Sequence, residues 1–355
     1  MAEKKRRSLS QKNLAFRAEG PLGEVLADAL RVPRDGAYAL THGFHPYPGR
    51  FHPRLPQVLI AAAEAPEALI FDPFMGSGTT LVEALLLGRS AIGNDLNPVA
   101  LMVARERTRP RSPAGAARLT AAAEKIGAQV EALRREKNPP RARLLHLQRL
   151  APQYQKHLLA EMIQWHRLIT ELPRGSVRET LRAVFSSGVV KFSNQPSDSR
   201  SGSAPPRYPK GAVTRFFVAK TRELAAAQTA FGEKLPGTGK VSLLQEDSRL
   251  LPSMRWGACD LILTSPPYPG TYDYFHQHRL RADWLELEDE PFREGEIGAR
   301  RNEPGGRWGS VLRDVMVALA RVLRPGGDLF MVIGDWMEEN HAVDGGKALG
   351  RVATA

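Results

Sequence analysis

A glycine-rich turn flanked by acidic residues is the first feature of this sequence that could bind a ligand. The stretch Asp72-Pro-Phe-Met-Gly-Ser-Gly-Thr-Thr80 follows a short apolar run and precedes an apolar helical pattern. Glycines between a strand and a helix let a ligand approach the backbone closely, and the start of the helix offers free N–H groups. Asp95 follows about twenty residues later, after the next apolar run, where a carboxylate can accept both hydroxyls of a ribose.

Two other nucleotide-binding patterns fit this turn poorly. A P-loop ends in Gly-Lys-Ser/Thr, and the turn contains no lysine. A dinucleotide-binding turn needs a third glycine, and Leu81 stands at that place. The pattern therefore predicts an adenosine-type ligand without a pyrophosphate group, which suggests S-adenosylmethionine.

A proline pair after a second apolar run marks another candidate site. Thr264-Ser-Pro-Pro-Tyr268 follows Leu261-Ile-Leu263, so it falls at the carboxyl end of a predicted strand. Two consecutive prolines remove N–H donors and fix φ, which leaves carbonyl groups free to act as acceptors. A plain strand-ending turn accounts for one proline, but it does not account for the serine, both prolines and the aromatic ring together.

Alternating strand and helix patterns must position both turns. The predicted strands are 68–72, 89–95, 241–245, 260–264 and 328–333, and the predicted helices between them include 79–87 and 311–323. Strands that are apolar on both faces and alternate with helices predict an α/β fold, with a mostly parallel sheet covered by helices on both faces.

A basic segment interrupts this alternation. Residues 105–225 contain 24 Lys and Arg against 9 Asp and Glu, so they carry more than the whole chain's net charge of +12. Apolar residues at helical spacing, such as Leu119, Ala123 and Ile126, predict that the segment is mostly helical. Residues 194–211 are rich in Ser, Pro and Gly and predict a mobile loop. Such concentrated positive charge favours nucleic-acid contact over a merely solvated basic face.

Composition excludes several protein classes. The single cysteine excludes a disulfide scaffold and a four-cysteine zinc site within one chain. No apolar run reaches the roughly 18 residues of a membrane span. The basic N-terminus is not followed by an apolar run, so a secretory signal is not expected. We therefore expect a cytoplasmic, nucleoid-associated protein with no membrane contact.

Taken together, DPFMGSGTT and TSPPY resemble the cofactor and catalytic motifs of the amino-methylating DNA methyltransferases. The serine form of TSPPY is typical of cytosine-N4 enzymes, whereas an aspartate at that place usually accompanies adenine-N6 methylation. Residues 45–53 resemble the family's additional cofactor motif, which closes over the methionine end. Glu246-Asp247 resembles the acid that contacts the adenine amino group. The resemblance covers roughly residues 40–105 and 240–335.

The resemblance implies a Rossmann-like class I methyltransferase fold with S-adenosylmethionine as cofactor. It assigns cofactor contacts to Tyr47, Arg50, Phe51, Asp72, Pro73, Phe74, Gly76, Ser77, Gly78, Thr79, Asp95 and Asp247, and catalysis to Ser265, Pro266, Pro267 and Tyr268. In that scheme, Ser265 and the Pro266 carbonyl hold the target amine, and Tyr268 stacks on a base that has been flipped out of duplex DNA.

The implied function is site-specific methylation of cytosine N4 in double-stranded DNA, within a restriction–modification pair whose endonuclease acts on the same site. Three alternatives stay open: an adenine-N6 DNA methyltransferase, an RNA amino-methyltransferase, and a non-catalytic DNA-binding remnant. We divide the chain into a basic tail with a leading helix (1–36), a first catalytic part (37–105), a helical basic insertion for target recognition (106–238) and a second catalytic part (239–355).

Two features depart from the family pattern. The insertion lies after the second strand rather than directly before TSPPY, so the recognition segment is displaced by one strand. The family's sheet ends in an antiparallel strand pair, whereas this chain stops soon after the fifth predicted strand. We therefore expect either that this edge is missing or that the coding sequence is truncated or shifted in frame.

Some residues with reactive side chains are predicted to be structural. His42, His45 and His52 have irregular spacing within the cofactor-like motif, so no metal site is expected. Cys259 follows an alanine rather than the proline of a carbon-5 methyltransferase nucleophile, and we predict a small core residue.

The roles of two histidines and two tryptophans that follow TSPPY are also predicted from their positions. His276 and His278 could equally face DNA or pack and cap a helix. Trp284 and Trp308 are predicted to pack within the protein rather than stack on bases.

Overall fold

Five parallel strands form the main sheet of the computed structural model, which describes residues 23–31, 36–63, 67–136, 150–195, 207–269, 273–298, 305–338 and 341–354. The strands are β1 (Ile70–Asp72), β2 (Ala91–Asn94), β3 (Val241–Leu244), β4 (Cys259–Thr264) and β5 (Leu323–Met331), in the order β3-β2-β1-β4-β5. Every pairing between neighbours is parallel. The predicted α/β fold with a mostly parallel sheet is confirmed.

Helices flank the sheet and fill the insertion. They are α1 (Gly23–Leu30), a short 3-10 helix (Leu40–Gly43), α2 (Arg54–Ala61), α3 (Thr79–Leu86), α4 (Pro98–Arg107), α5 (Pro113–Arg135), α6 (Lys156–Glu171), α7 (Ser176–Val189), α8 (Ala212–Lys234), α9 (Tyr274–Leu285), α10 (Glu290–Gly295), α11 (Gly305–Val322) and α12 (Gly345–Ala353). Among the described residues, no helix is long and apolar enough to cross a membrane.

Alternating strand residues build one core on each face of the sheet. Ile70 and Leu261 pack with residues of α2 and α3, whereas Phe71 and Ile262 pack with residues of α11. Neighbouring residues of a strand point to opposite faces, so a strand that is apolar throughout contributes to both cores. This explains why the predicted strands lack a polar face.

Residues 106–238, the predicted insertion, have an aromatic core that also packs against the part of the chain that carries the sheet. Trp165, Phe185 and Phe217 pack together within α6, α7 and α8. The same cluster contains Val103 of α4 and Trp284 of α9, and both residues lie outside the insertion. The predicted helical character is confirmed, while residues 196–206 of the predicted mobile loop lie outside the described residues.

The chain after α11 differs from its sequence-based prediction. Strand β5 begins at Leu323 rather than at residue 328, and it includes Pro325-Gly-Gly327, which lies between the predicted helix 311–323 and the predicted strand. Leu323 pairs with Cys259, and a register shift follows before Leu261 pairs with Asp328, so the strand carries the turn-like residues as an irregularity.

Two short strands that the sequence analysis does not predict follow β5. Strands β6 (Trp336–Glu338) and β7 (His341–Val343) pair antiparallel, and they form a two-stranded sheet of their own rather than an edge of the main sheet. Trp336 packs against Trp308 with ring centroids 5.2 Å apart, which anchors the pair to α11.

Candidate active site

Asp72 joins the glycine-rich turn to the Thr264–Tyr268 turn, which is the predicted catalytic turn. Strand pairing sets β1 directly beside β4, so both turns leave the same edge of the sheet. One Asp72 carboxylate oxygen accepts a hydrogen bond from Thr80 Oγ1 at 2.7 Å, and the other accepts one from Thr264 Oγ1 at 2.7 Å. Burial raises the pKa of Asp72 to about 6. The carboxylate therefore links the two turns from below, at 1% exposure.

A pocket opens above this link, at the carboxyl edge of the sheet. Seven of the predicted site residues line it: Tyr47, Phe74, Gly76, Asp95, Asp247, Ser265 and Pro267. The other predicted residues lie outside its lining: Arg50, Phe51, Asp72, Pro73, Ser77, Gly78, Thr79, Pro266 and Tyr268. The rest of the lining consists of Gly49, within the predicted 45–53 motif, and of residues not predicted from the sequence: Leu96, Asn97, Ser248, Tyr274, Phe292, Gly295, Glu296 and Ile297.

The Asp95 carboxylate is held by backbone donors at the end of β2. Gly76 N donates to one of its oxygens and Asn97 N to the other, each at 2.9 Å. Enclosure by the pocket walls raises the pKa of Asp95 to about 7. A carboxylate offers about four acceptor positions, so Asp95 retains capacity for hydroxyl donors of a ligand.

Glycines in the turn are required by backbone conformation and by space. Gly76 has φ +50°, and a Cβ atom there would lie 3.3 Å from the Tyr47 ring. Gly78 has φ +80°, and a Cβ atom there would lie 2.9 Å from the Ala104 Cβ. Both conformations are rare for residues with a side chain. The turn therefore brings the Gly76 backbone to the pocket wall and starts α3 at Gly78.

The 45–53 stretch is fixed over the glycine turn by a buried arginine that the sequence analysis missed. Arg107 is fully buried, and it donates to Ser77 Oγ at 2.6 Å, to the His42 carbonyl at 2.7 Å and to the His45 carbonyl at 3.3 Å. Arg50 donates to the same His42 carbonyl at 2.7 Å. Tyr47, whose hydroxyl accepts from Asn97 Nδ2 at 3.2 Å, is thereby held at the pocket.

A cluster of stacked rings continues from Tyr47 into α9. Its ring lies 4.8 Å from His278 and 6.3 Å from Tyr274, both nearly parallel to it. His278 is 2% exposed, so the structure supports packing rather than DNA contact for this histidine. Burial lowers the pKa of His278 well below its usual value. This neutral stack supports the pocket wall.

Trp308 supports the Thr264–Tyr268 turn through a hydrogen bond. Its indole Nε1 donates to the Pro267 carbonyl at 2.9 Å, and its buried ring extends from α11 to pack against Trp336 of β6. The predicted packing role of Trp308 is thus accompanied by direct support of the turn. Ser265 Oγ lies 3.5 Å from the Tyr268 hydroxyl, and the Tyr268 ring faces Gly334.

Asp247 lines the pocket shortly after the end of β3. Burial acts to raise its pKa, but hydrogen bonds from Arg249 outweigh that effect and hold the pKa below its usual value. The neighbouring Ser248 donates to the Pro73 carbonyl at 2.7 Å, which ties this segment to the glycine turn. Asp247 therefore remains ionised in the pocket wall.

The remaining candidate residues have structural partners. His42 pairs with Glu83 at 2.7 Å, and His45 lies 3.1 Å from Ser186 Oγ, so these rings point to different groups. Within the described ranges, no group of three His, Cys, Asp or Glu side chains is arranged to hold a metal ion. Cys259 is buried, and burial raises the pKa of its thiol to about 12, which agrees with a core residue.

A second cleft lies between the 45–53 stretch and the insertion, and Tyr47 lines both cavities. The walls of this second cleft combine cationic and aromatic side chains, including Lys191, Lys220, Tyr208 and Phe216. Lys191 Nζ lies 5.4 Å from the Phe216 ring centre and 5.6 Å from that of Tyr208. We call this the cationic cleft.

Parts of this chain are similar in sequence to known proteins. The family model N6_N4_Mtase, described as DNA methylase, matches residues 9–106. The type II methyltransferase M.MvaI of Kocuria varians is 27% identical over 263 residues, which cover 70% of this chain and 58% of that protein. The type II methyltransferase M.MjaII of Methanocaldococcus jannaschii is 43% identical over 63 residues, which cover 18% of this chain and 12% of that protein. The matched regions thus span less than two thirds of either relative.

A solved rRNA methyltransferase, aviRa from Streptomyces viridochromogenes, aligns with 84% of this chain and 82% of its own at 14% identity, with a TM-score of only 0.31. A score this low establishes no shared fold, so the family assignment depends on the sequence matches. Those matches show that the chain is similar to the N6/N4 DNA methylases, a family whose methyl donor is S-adenosylmethionine.

Proposed function

We propose that this protein transfers a methyl group from S-adenosylmethionine to the exocyclic N4 of a cytosine flipped out of duplex DNA. One observation carries the proposal. Ser265 and Pro267 of the catalytic turn share a single pocket with Gly76 and Asp95 of the predicted cofactor site. A methyl donor and an amine acceptor must meet in such a pocket, since positioning provides much of the rate of a direct transfer.

The groups that line the pocket fit the proposed cofactor. Asp95 has free acceptor positions for the ribose hydroxyls, and the ionised Asp247 can accept from the adenine amino group. Phe74 and Ile297 supply apolar surface for the adenine ring. When bound, the cofactor supplies an electrophilic methyl group on its sulfonium.

The catalytic turn supplies acceptors for the target amine. The lone pair of the cytosine amino nitrogen is delocalised into the ring, so the amine is a poor nucleophile. Hydrogen bonds from that amine to Ser265 Oγ and the Pro266 carbonyl favour a pyramidal nitrogen whose lone pair points at the methyl group. Trp308 keeps the turn in place through the Pro267 carbonyl. Cys259 is buried in the core, which argues against carbon-5 methylation through a covalent intermediate.

Ser265 is the feature that favours cytosine N4 over adenine N6. The family's adenine enzymes usually carry an aspartate at this place, and a serine is typical of the cytosine enzymes. Adenine-N6 methylation of DNA is the second candidate, and it uses the same pocket. An activity assay separates the two DNA methylation candidates from the remaining alternatives, which are RNA methylation and a non-catalytic DNA-binding role.

Duplex DNA is the proposed partner of the basic insertion, residues 106–238, which we assign to target recognition. Cationic side chains neutralise phosphates, and aromatic rings stack on unpaired bases. The cationic cleft combines both kinds of group within one wall of the insertion. We further propose action on cytoplasmic DNA, together with a restriction endonuclease that recognises the same site.

A radiolabelled methyl donor tests the proposed substrate. Purified protein should transfer label to duplex DNA and not to RNA of the same sequence. Label on RNA alone would support the RNA alternative, and the absence of transfer to either polymer would support the non-catalytic one.

Removal of the Asp95 carboxylate should weaken cofactor binding. Asp95→Ala is expected to reduce the affinity for S-adenosylmethionine by about 1.5–3 kcal/mol, because charge-assisted hydrogen bonds are lost at a partly buried site. Calorimetry measures this change, with Glu233→Ala, which removes an exposed carboxylate at the end of α8, as a control. Unchanged affinity in a folded Asp95→Ala protein would rule out the ribose assignment.

Cofactor affinity should also depend on pH. The pKa of Asp95 is about 7 in the ligand-free pocket, and hydroxyl donors prefer the ionised carboxylate. Affinity should therefore rise with pH through neutrality, with net proton release on binding. Calorimetry in buffers of different ionisation enthalpy measures the released protons, and Asp95→Ala should release fewer of them.

DNA binding should depend steeply on salt, and Lys191 should contribute to that dependence. Lys191→Gln is expected to lower the log–log slope of affinity against salt by about 1, as the loss of one phosphate contact does. Lys347→Gln, an exposed lysine on α12, is the matched control and should leave the slope unchanged. A wild-type slope for Lys191→Gln would remove the cationic cleft from the DNA interface.

A further inference from the structure

We propose that Glu296 is a cofactor-binding residue that pairs with the positive charge of S-adenosylmethionine. The proposal rests on the proposed function, because it takes that cofactor as the ligand of the pocket. Nothing in the sequence motifs or in the family resemblance assigns a role to this residue.

Glu296 lies in the pocket wall and is held there by the backbone. Its Oε1 accepts from Tyr274 N at 2.8 Å, and Phe275 N lies 3.3 Å from both carboxylate oxygens. These two N–H groups belong to the first turn of α9, where a negative charge is favoured. The carboxylate is therefore fixed in orientation, and it keeps acceptor positions for a ligand.

The segment that carries Glu296 is pressed against the cofactor side of the pocket. A Cβ atom on Gly295 would lie 2.6 Å from Leu96 Cδ1 and 3.8 Å from an Asp247 oxygen. Only a residue without a side chain fits this approach without a shift of Leu96. Glu296 thus belongs to the same cavity as Asp95 and Asp247, and not to a neighbouring surface.

The charge in the pocket is unbalanced without a cationic ligand. Asp247 pairs with Arg249. Among the described residues, Asp95 and Glu296 form no ion pair, and both accept from backbone N–H groups instead. Burial, followed by the neighbouring carboxylate of Asp273, raises the pKa of Glu296 to about 7. A ligand that brings a positive charge relieves this cost.

Asp95 and Asp72 are poorly suited to that charge. The proposed partners of Asp95 are the neutral ribose hydroxyls. Asp72 is buried outside the pocket lining, and its oxygens already accept from two threonines. Glu296 is left as the carboxylate for the cationic part of the cofactor, near Tyr47, which the family resemblance places at the methionine end. That part contains two cations, the α-ammonium and the sulfonium.

Direct binding measurements on matched variants test the role of Glu296. Calorimetry would compare the wild type, Glu296→Gln and Glu294→Gln, using S-adenosylmethionine and its neutral-sulfur product S-adenosylhomocysteine. Glutamine keeps an acceptor for Tyr274 N and removes only the charge, and Glu294 is an exposed glutamate two residues earlier. We expect Glu296→Gln to weaken S-adenosylmethionine binding roughly ten- to hundred-fold. Glu294→Gln should bind as the wild type does.

The product distinguishes the two cations. Equal losses for both ligands would place Glu296 at the α-ammonium, which both contain, and a loss for S-adenosylmethionine alone would place it at the sulfonium. Glu296→Asp, which keeps the charge, should recover part of the affinity and guards against a folding defect in the glutamine variant.

Wild-type affinity in a folded Glu296→Gln protein would overturn the inference, including the case in which only the rate of methyl transfer falls. Asp95→Ala separates this outcome from a failure of the proposed function. If Asp95→Ala weakens binding and Glu296→Gln does not, only the role of Glu296 is lost. If the wild type binds neither ligand, the proposed function fails as well.

Discussion

Ser265→Ala is expected to bind DNA and S-adenosylmethionine with wild-type affinity but to transfer the methyl group roughly ten- to thousand-fold more slowly. The hydroxyl lies in the pocket lining next to Tyr268, where it can accept a hydrogen bond from the target amine. That bond strengthens as the nitrogen becomes pyramidal, so its loss raises the barrier without weakening the ground state. Single-turnover transfer of a radiolabelled methyl group measures the effect.

Two further variants serve as comparisons for Ser265→Ala. Ser253→Ala removes an exposed serine outside the pocket and should be fully active. Tyr268→Ala should instead reduce the population of the flipped base, because stacking on an aromatic ring is worth roughly 1–3 kcal/mol. A fluorescent base analogue at the target position should be bright with Ser265→Ala and dim with Tyr268→Ala. Full activity of Ser265→Ala, or equal flipping in both variants, would contradict the assigned roles.

Gly76→Val is expected to abolish measurable cofactor binding. The residue has φ +50°, its Cβ would lie 3.3 Å from the Tyr47 ring, and its N–H holds the Asp95 carboxylate. A branched side chain therefore strains the backbone, displaces a pocket wall and occupies ligand space at once. Calorimetry measures the loss of binding, and thermal unfolding shows whether the variant remains folded.

Gly237→Val is the matched control for backbone strain. Gly237 has φ +86°, but nothing lies within 4 Å of its would-be Cβ. This variant should lose about 1–2 kcal/mol of stability and bind the cofactor normally. Similar cofactor affinities for folded Gly76→Val and Gly237→Val would show that the glycine turn does not contact the ligand.

The sequence predicted those parts of the fold in which local pattern and tertiary structure agree. The apolar runs that end at Asp72 and Thr264 are strands, and the glycine and proline turns follow them, because the local preferences of these residues agree with the tertiary structure. Pro325-Gly-Gly327 differs, because it lies inside β5 between Leu323, which pairs with Cys259, and Asp328, which pairs with Leu261.

The missed site residues have no local signal. Glu296 lies far along the chain from Asp95, and tertiary contacts such as the packing of Gly295 against Leu96 bring the two into one pocket. Arg107 ends a helix, where a solvated cation is ordinary, and only tertiary structure shows that it is buried against the His42 carbonyl. Residues placed by long-range packing could not be predicted without the fold.

Nucleoside analysis of methylated duplex DNA tests the central claim most directly. DNA would be incubated with the protein and methyl-labelled S-adenosylmethionine, digested to nucleosides and separated by chromatography. The proposed function predicts label in N4-methyldeoxycytidine, at a level that falls in Ser265→Ala. Label in N6-methyldeoxyadenosine would contradict the cytosine assignment, and DNA without label would contradict methyl transfer to DNA altogether.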